Sequence, residues 1–327
     1  MRRIALLLPD RFVAGGVAGT LDLLFAANRL AGGDAPLFTW RLLSADGAPA
    51  LASTGLTLAA DGRYEEAGDA DAIIVPGIIY PDLAHFEARI AGETELLRLL
   101  RQWHADGRLI AGNCTGVALL AESGILDGKT ATISWWLSSW FRRHFPAVTL
   151  ETHAILSECG PLLCSGATTC YLNLGLRLIE RLAGPDLALH CARLMLVDTH
   201  RASQAPYATL QQYAGHNDPL VARCQEWLQD NLARPFSLAT LAAAAGSSER
   251  TLIRHFRQAL GDTPLHYLQQ MRLFAARRLL ESSALGLEQI VGRVGYEDVS
   301  TFRRLFKREL GCSPGEYRRR FAGGAAA

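Results

Sequence analysis

Residues 295–321 read GYEDVSTFRRLFKRELGCSPGEYRRRF, and this stretch decides how the C-terminal part of the chain folds. Val299, Phe302, Leu305, Phe306 and Leu310 recur at helical spacing, so one face is apolar. Ser300, Thr301, Arg303, Arg304, Lys307 and Arg308 fill the opposite face. Asp298 ahead of the run suits an N-cap, and Gly311 behind it a C-terminal stop. Pro314 then opens a short helix carrying Tyr317 and a basic end. A helix entered from a Gly-Tyr turn, apolar behind and basic-hydroxylic in front, has the build of a helix that reads a DNA groove.

The same unit occurs earlier in the chain. Leu241 and Gly246 have the spacing of Ile290 and Gly295, and Phe256, Gly261, Pro264 and Tyr267 have that of Phe306, Gly311, Pro314 and Tyr317. One extra residue in the second turn is the single slip. Two phased copies of turn, aromatic, Gly, Pro and Tyr define a repeat. In the first copy Leu238, Leu241, Ala242 and Ala245 make the supporting helix, and Ser248 is placed to cap the next one. Leu252, Phe256 and Leu260 turn inward, which leaves Arg250, Thr251, Ile253, Arg254 and Arg257 outward. Between the copies, residues 264–281 form a long helix with Leu265, Leu268, Ala275 and Leu279 expected inward.

Charge follows the same division. Residues 236–321 hold 14 Lys/Arg against 8 Asp/Glu, whereas residues 1–235 hold 19 against 24. A basic C-terminal part on an acidic remainder fits a polyanion-binding domain joined to one that avoids polyanions. The total length of 327 residues suggests two domains.

On these motifs, residues 218–321 resemble the AraC/XylS family of transcription regulators. The resemblance implies an all-α domain with two helix-turn-helix units reading successive major-groove segments of a double-stranded DNA operator. It places Arg250, Thr251, Ile253, Arg254 and Arg257 of the first unit, and Val299, Ser300, Thr301, Arg303 and Arg304 of the second, at the DNA. Arg at such positions can contact guanine bidentately, whereas Ile253 offers only apolar contact to a thymine methyl. Lys307, Arg308 and Arg318 are expected at phosphates. For any single arginine the alternative is a solvated surface charge.

The N-terminal part alternates. Residues 3–8 (RIALLL), 38–44, 72–75 and 109–112 read as strands, the first a continuous apolar run suited to burial on both faces. Residues 17–31, with Leu21, Leu24, Phe25 and Asn28 in the pattern, read as a helix, as do 93–106 and 116–123. This order argues for an α/β layer with a parallel sheet. Short strands are expected at 145–150 and 154–156, a turn near Gly160-Pro161, and helices at 169–182 and 187–199. Residues 200–217 lose periodicity and read as an exposed linker between domains 1–199 and 218–321; residues 322–327 read as a disordered tail.

Cys114, within GNCTG, sits at a tight strand-to-helix turn, a nucleophile-elbow geometry in which the helix N-terminus would favour thiolate. With the following ALLAESGILDGKTAT and FPAV at Phe145, residues 1–200 resemble the DJ-1/PfpI branch of the class I glutamine amidotransferase-like superfamily, of flavodoxin-like α/β sandwich fold. Catalytic members carry a His soon after the elbow, where this chain has Ser134. Many also carry a Glu at the start of the first helix, where residues 15–20 hold no carboxylate. Cys114 therefore lacks the base that nucleophilic catalysis requires. By resemblance a ligand pocket would be walled by Thr20, Gly77, Ile78, Cys114, Thr115, Ser134 and Trp135, although a buried structural Cys and a packed Trp pair are the plainer alternatives.

Seven cysteines without a paired spacing fit a reduced compartment and no zinc site, and the apolar run of the N-terminus is too short for a signal peptide. The resulting expectation is a cytoplasmic regulator with the homodimer architecture implied by the family, with an operator and a small-molecule effector as partners, RNA polymerase as a further one if it activates, and no cofactor, metal or membrane. A DJ-1-type thiol hydrolase using Cys114, fused to a DNA-binding domain, is the competing reading. A ligand-independent architectural DNA binder would leave the first domain without a role.

Overall fold

The computed structural model describes residues 1–199, 203–208, 210–213 and 216–322. The chain forms two compact units: residues 1–141 with 145–204, and residues 205–327 with 142–144.

The first unit begins with β1 (Arg2–Leu7), α1 (Ala14–Ala31), β2 (Phe38–Ser44), β3 (Ala50–Leu51), β4 (Thr57–Leu58), β5 (Gly62–Arg63) and β6 (Ala72–Val75). It continues with α2 (Leu83–Gly92), α3 (Thr94–Ala105), β7 (Leu109–Asn113), α4 (Val117–Glu122), β8 (Thr130–Ala131), α5 (Ser138–His144) and β9 (Thr149–Leu150). It closes with β10 (Leu156–Cys159), β11 (Leu162–Ser165), α6 (Tyr171–Ala183) and α7 (Pro185–Leu194). Seven strands make one sheet in the order β10-β11-β7-β6-β1-β2-β5, parallel except for the β10–β11 hairpin. The apolar run of β1 explains its central place. Ala5 and Leu7 join the core on one face, Ile4, Leu6 and Leu8 the core on the other. Helices cover both faces, as the alternating pattern requires.

Several local expectations need correction. On α1 the buried side is Val17, Thr20, Leu23, Leu24 and Ala27, while Phe25 is 59% exposed. Residues 83–92 form a helix of their own, capped by Asp82, ahead of α3. Of the strands expected at 145–150 and 154–156, only residues 149–150 form β9 and residue 156 opens β10, which continues to Cys159 and is followed by β11. Residues 195–199 lie beyond α7, which ends at Leu194.

The second unit is helical: α8 (Pro219–Asp230), α9 (Leu238–Ala244), α10 (Glu249–Leu260), α11 (Pro264–Ser282), α12 (Leu287–Arg293), α13 (Val299–Leu310) and α14 (Pro314–Phe321). Its two cores divide α11 between them. Tyr267, Leu268 and Met271 pack with Leu241, Leu252, Phe256 and Leu260 in the first core. Leu273, Ala276 and Leu280 pack with Ile290, Phe302, Phe306 and Tyr317 in the second. Leu265, expected inward, is 47% exposed, and Ala275 and Leu279 are only partly buried, because the helix changes face as it passes from one core to the other. Gly261 and Gly311 end α10 and α13 with φ 69° and 74°, the left-handed turn a glycine takes without strain.

Of the expected linker, residues 205–207 and 210–213 form single 3-10 turns. Ala205, Pro206 and Tyr213 within them are buried, while Tyr207 is exposed. Ala205 enters the second helical core and Tyr213 the first, where its ring meets Tyr267 edge-on. Residues 200–202, 209 and 214–215, and all of the expected tail but residue 322, lie outside the described residues.

Candidate functional site

The helices α10 and α13 are built alike. Ser248 Oγ accepts from Thr251 N at 3.2 Å, and Asp298 Oδ1 accepts from Thr301 N at 2.6 Å, so each helix starts from a capped turn. Leu252, Phe256 and Leu260, and likewise Phe302, Leu305, Phe306 and Leu310, are buried. That burial fixes which side of each helix faces solvent. On α10 Arg250, Arg254 and Arg257 are exposed, with Thr251 and Ile253 half-buried beside them. On α13 Ser300, Thr301, Arg303, Arg304, Lys307 and Arg308 are exposed.

Five side chains of these two helices are engaged. Ser248 Oγ donates to Thr251 Oγ1 at 2.9 Å, and Arg304 Nη2 to Thr301 Oγ1 at 3.2 Å. Val299 packs partly against the second core. Arg308 turns its guanidinium to the buried Glu309, at 2.6 and 2.8 Å, and Gln270 Nε2 donates to the same carboxylate at 3.1 Å. Arg318, expected at a phosphate, is instead half-buried and donates to Leu285 O at 2.6 Å, holding the loop between α11 and α12.

Sequence reasoning missed two sets of residues that aim these helices. His255 Nδ1 meets Asp218 Oδ2 at 2.7 Å, tying the back of α10 to the start of α8. Burial raises the Asp218 carboxyl, but His255 and the Val221 and Leu220 amides outweigh it and hold it below the ordinary range. Arg272, almost fully buried, donates to Leu232 O at 2.9 Å and Arg234 O at 2.6 Å, and lies over the Tyr296 ring at 5.2 Å. It thereby joins the loop before α9 to the turn before α13. An arginine in an apolar helix stripe is the signal that could have found it.

In the first unit, Cys114 follows β7 with φ 55°, the strained conformation of an elbow. A side chain on Gly116 would bring its Cβ to 2.3 Å from Pro76 O, so the elbow packs directly on the end of β6. Thr115 Oγ1 accepts from Ile78 N and donates to Ile78 O, both at 2.7 Å, which locks residues 77–78 against the turn. A Cβ on Gly77 would lie 3.0 Å from Cys114 Cβ. Ser134 Oγ donates to Cys114 Sγ at 2.9 Å, and Thr168 Oγ1 lies 3.9 Å from it. The structure thus brings Gly77, Ile78, Thr115 and Ser134 to Cys114. Thr20 is engaged elsewhere: its hydroxyl donates to Gly16 O, and it lines a cavity of about 10 Å³ with Asn113 and Tyr171. Trp135 is half-buried and packs edge-on against Trp136 at 5.3 Å.

Thr168 and Tyr80 were not foreseen. Thr168 follows β11, the parallel neighbour of β7, so its turn comes up beside the elbow. Burial pushes the Tyr80 hydroxyl up to about 12, an effect that Trp136 only partly offsets.

The chemistry of the thiol corrects the expectation of a favoured thiolate. Cys114 is 2% exposed, and burial raises its pKa, which the Ser134, Thr115 and Thr168 hydrogen bonds only partly offset. Among the described residues, its hydrogen-bond partners are hydroxyls and a backbone amide, with no imidazole or carboxylate.

Residues 241–320 match a helix-turn-helix domain model, and residues 7–144 the DJ-1/PfpI family model. The chain is 32% identical over 316 residues to the HTH-type transcriptional regulator CdhR of Pseudomonas aeruginosa, spanning 96% of this chain and 90% of that one. It is 29% identical over 324 residues to the HTH-type transcriptional regulator GlxA of Rhizobium meliloti, spanning 98% and 96%. Among solved structures, an AraC family transcriptional regulator from Pseudomonas putida shares the fold at TM-score 0.52 and 24% identity, covering 60% of this chain and all of that one. Drosophila melanogaster DJ-1beta does so at TM-score 0.50 and 18% identity, covering 60% and 98%. With two phased recognition helices behind a DJ-1/PfpI fold, and this similarity along nearly its whole length, the chain belongs to the AraC-type helix-turn-helix transcriptional regulators that carry an N-terminal DJ-1/PfpI domain.

Proposed function

We propose that the α/β unit senses a small metabolite without transforming it, and that its occupancy sets how the DNA-binding unit engages an operator. The observation that carries this is the state of Cys114: buried, its thiol pushed up by that burial and held by hydroxyls, with no imidazole or carboxylate bonded to it among the described residues. An elbow lacking its base keeps the place where open α/β sheets bind ligands, at the carboxyl ends of the strands. The neutral hydroxyls of Thr115, Ser134 and Thr168, with the nearby rings of Tyr80, Trp135 and Trp136, favour a small amine or amino acid, whose ammonium group aromatic faces attract. The remaining proposed wall residues are Gly77, Ile78 and Cys114.

We assign base contacts to Arg250, Ile253 and Arg254 on α10 and to Ser300, Thr301, Arg303 and Arg304 on α13. Thr251, Arg257, Val299, Lys307 and Arg308 flank them, the last two towards phosphates. Working domain limits are 1–204 and 205–321. A cytoplasmic homodimer is the form in which such a regulator would act, with RNA polymerase as a partner if it activates. Among the described residues no helix is long and apolar enough to cross a membrane.

The test is a thermal-shift screen of the full chain against amines and amino acids. A ligand at 100-fold over its Kd should stabilise by ~2.7 kcal/mol. The same samples should leave amides, peptides and glyoxals unturned over. Turnover that vanishes in Cys114→Ala would favour the thiol-hydrolase reading instead.

A further inference from the structure

Gln204 is the last residue of the first compact unit, and Ala205 the first of the main segment of the second. Gln204 is 2% exposed, and its side chain is fully used. Nε2 donates to Ile133 O at 2.8 Å and Thr152 O at 2.9 Å, with Ala154 O at 3.3 Å and Thr132 Oγ1 at 3.4 Å further off. Oε1 accepts from Ala167 N at 3.2 Å. The main chain adds a bond from Gln204 N to His153 O at 2.8 Å and a bridge between Ser203 and Ala154. The amide lies flat on Gly166, where a Cβ would come within 2.6 Å of Oε1. The slot matches a carboxamide: carbonyls face the NH2 group and an N–H faces the oxygen.

The partners of this amide are placed with consequence. Ile133 precedes Ser134, and Ala167 precedes Thr168. Ser134 and Thr168 are the side chains that approach Cys114 Sγ from outside the elbow. Gln204 therefore ties together, one residue back, the two segments that close over the thiol. On its other side the chain has no slack. Ala205 is 1% exposed within the second helical core, and Arg277, itself buried, donates to Pro206 O at 2.6 Å and to Ala208 O. Arg277 also donates to Tyr317 Oη at 3.0 Å. Consecutive residues are thus locked into different units.

We infer that Gln204 is a positioning residue that couples the surroundings of Cys114 to the first turn of the DNA-binding unit. An occupant that displaces Ser134 or Thr168 moves Ile133 O or Ala167 N with it. Either movement breaks a bond to the Gln204 amide, and the strain passes along the chain to residues 205–208 and Arg277. Coupling of this kind is reciprocal: loosening Gln204 must also loosen the cover of the thiol. The inference rests on the sensing role proposed for this site.

The test reads both directions in the full chain, with iodoacetamide as the thiol probe. Gln204→Met keeps the length of the side chain and removes its hydrogen bonds; Gln204→Glu sets a carboxylate against the carbonyls. In both, alkylation of Cys114, followed by peptide mass spectrometry, should rise about tenfold. Cys191 and Cys224, buried in elements that Gln204 does not touch, should react at their original rates. Amide exchange at Ala208, bonded to Ala205 O, should accelerate in step, and that of Thr251 in α10 should not. Unchanged Cys114 alkylation, or an equal rise at Cys191, overturns the inference, the latter because it marks general loosening. A rise at Cys114 with Ala208 unchanged also overturns it, since the coupling would stop within the α/β unit. The two readings fail separately. A metabolite screen without a hit faults the sensing role while these rates still report the coupling; a ligand hit with flat rates faults Gln204 alone.

Discussion

Replacing Arg272 by Met should separate the stability of the DNA-binding unit from the strength of its individual recognition helices. The guanidinium donates to Leu232 O and Arg234 O at 2.9 and 2.6 Å and covers the Tyr296 ring. Charge-assisted bonds of this kind contribute ~1.5–3 kcal/mol each. Two terms reduce the loss. Burial disfavours the charged group, which is why the Arg272 pKa is lowered, and Met removes that cost. Residue 234 is exposed, so its carbonyl can rebind water. The half-buried Leu232 carbonyl is left unpaired at ~1–3 kcal/mol, and the cation–π contact adds ~1 kcal/mol. The net expectation is a loss of about 2–3 kcal/mol from the unfolding of the helical unit, read by urea titration and circular dichroism. Because Arg272 joins the loop before α9 to the turn before α13, DNA binding should suffer selectively. Affinity for a duplex carrying both recognition segments should fall more than affinity for either segment alone. Destabilisation under 0.5 kcal/mol, or an equal loss on single and double segments, would refute the reasoning.

Four further outcomes are expected. Arg254→Ala should weaken operator binding by ~1–3 kcal/mol and relax preference at one or two base pairs, whereas Lys307→Ala should weaken specific and scrambled duplexes alike and lower the salt slope by about one; titrations of both duplexes across a salt series decide. Ser248→Ala should cost ~1 kcal/mol through the lost α10 cap, measured by thermal unfolding. The Asp298 carboxyl is held low by the Thr301 hydroxyl and amide, so its cap is present above the usual carboxylate range near pH ~4 and lost as pH falls through the depressed value; Asp298→Asn should flatten the DNA affinity profile on the acid side. The Cys114 thiol is raised by burial, so its contribution to stability is full below the free thiol range near pH ~8.5 and lost as pH rises towards the raised value. Alkylation at pH 7 should therefore be slow, and a fast, pH-independent reaction there would contradict the burial.

The legible parts of the chain were those where one period dominates. Leu252, Phe256 and Leu260, or Phe302, Phe306 and Leu310, fix their helices without help from elsewhere, and Ser248, Asp298, Gly261 and Gly311 mark the ends by local chemistry. The central strands were equally plain, since both faces of β1 and β6 are buried. On α1 the period was right and Phe25 is the exception, since Leu24 is buried and Leu21 packs on the same core. Phe25 satisfies helical spacing as well as Val17 and Leu23 do, and only packing in the tertiary fold leaves it outside the core. The hairpin of β10 and β11 escaped because its strands are four residues each, one of them carrying Ser157 and Glu158. Missing β11 also hid Thr168, whose place beside Cys114 follows from that strand. Residues 200–217 looked like a linker because the 3-10 turns at 205–207 and 210–213 leave no period to read, and Gln204 acquires its meaning only from carbonyls that arrive from residues 133, 152 and 154.

The two buried arginines of α11 explain how the DNA-binding unit can keep its frame while its specificity varies. Arg272 and Arg277 spend their donors mainly on backbone carbonyls, at residues 232, 234, 206 and 208, rather than on side-chain carboxylates. A backbone acceptor is present whatever residue occupies the position, so these ties survive substitution at their far ends. The proposed reading faces lie outside this frame: Arg250, Arg254 and Arg257 are exposed on the side of α10 opposite its core, as Ser300, Arg303 and Lys307 are on α13. Exchanging such side chains should therefore alter the sequence read at little cost to folding, since exposed substitutions away from caps and cores usually stay within ~0.5 kcal/mol. Val299 and Thr301 are the exceptions on α13, one packed on the core and one bonded to the cap and to Arg304. Arg250→Gln and Ser300→Gln should thus change operator preference in a selection from random duplexes while leaving the urea midpoint in place. A shift of that midpoint comparable to the loss from Arg272→Met would show that reading face and frame are not independent.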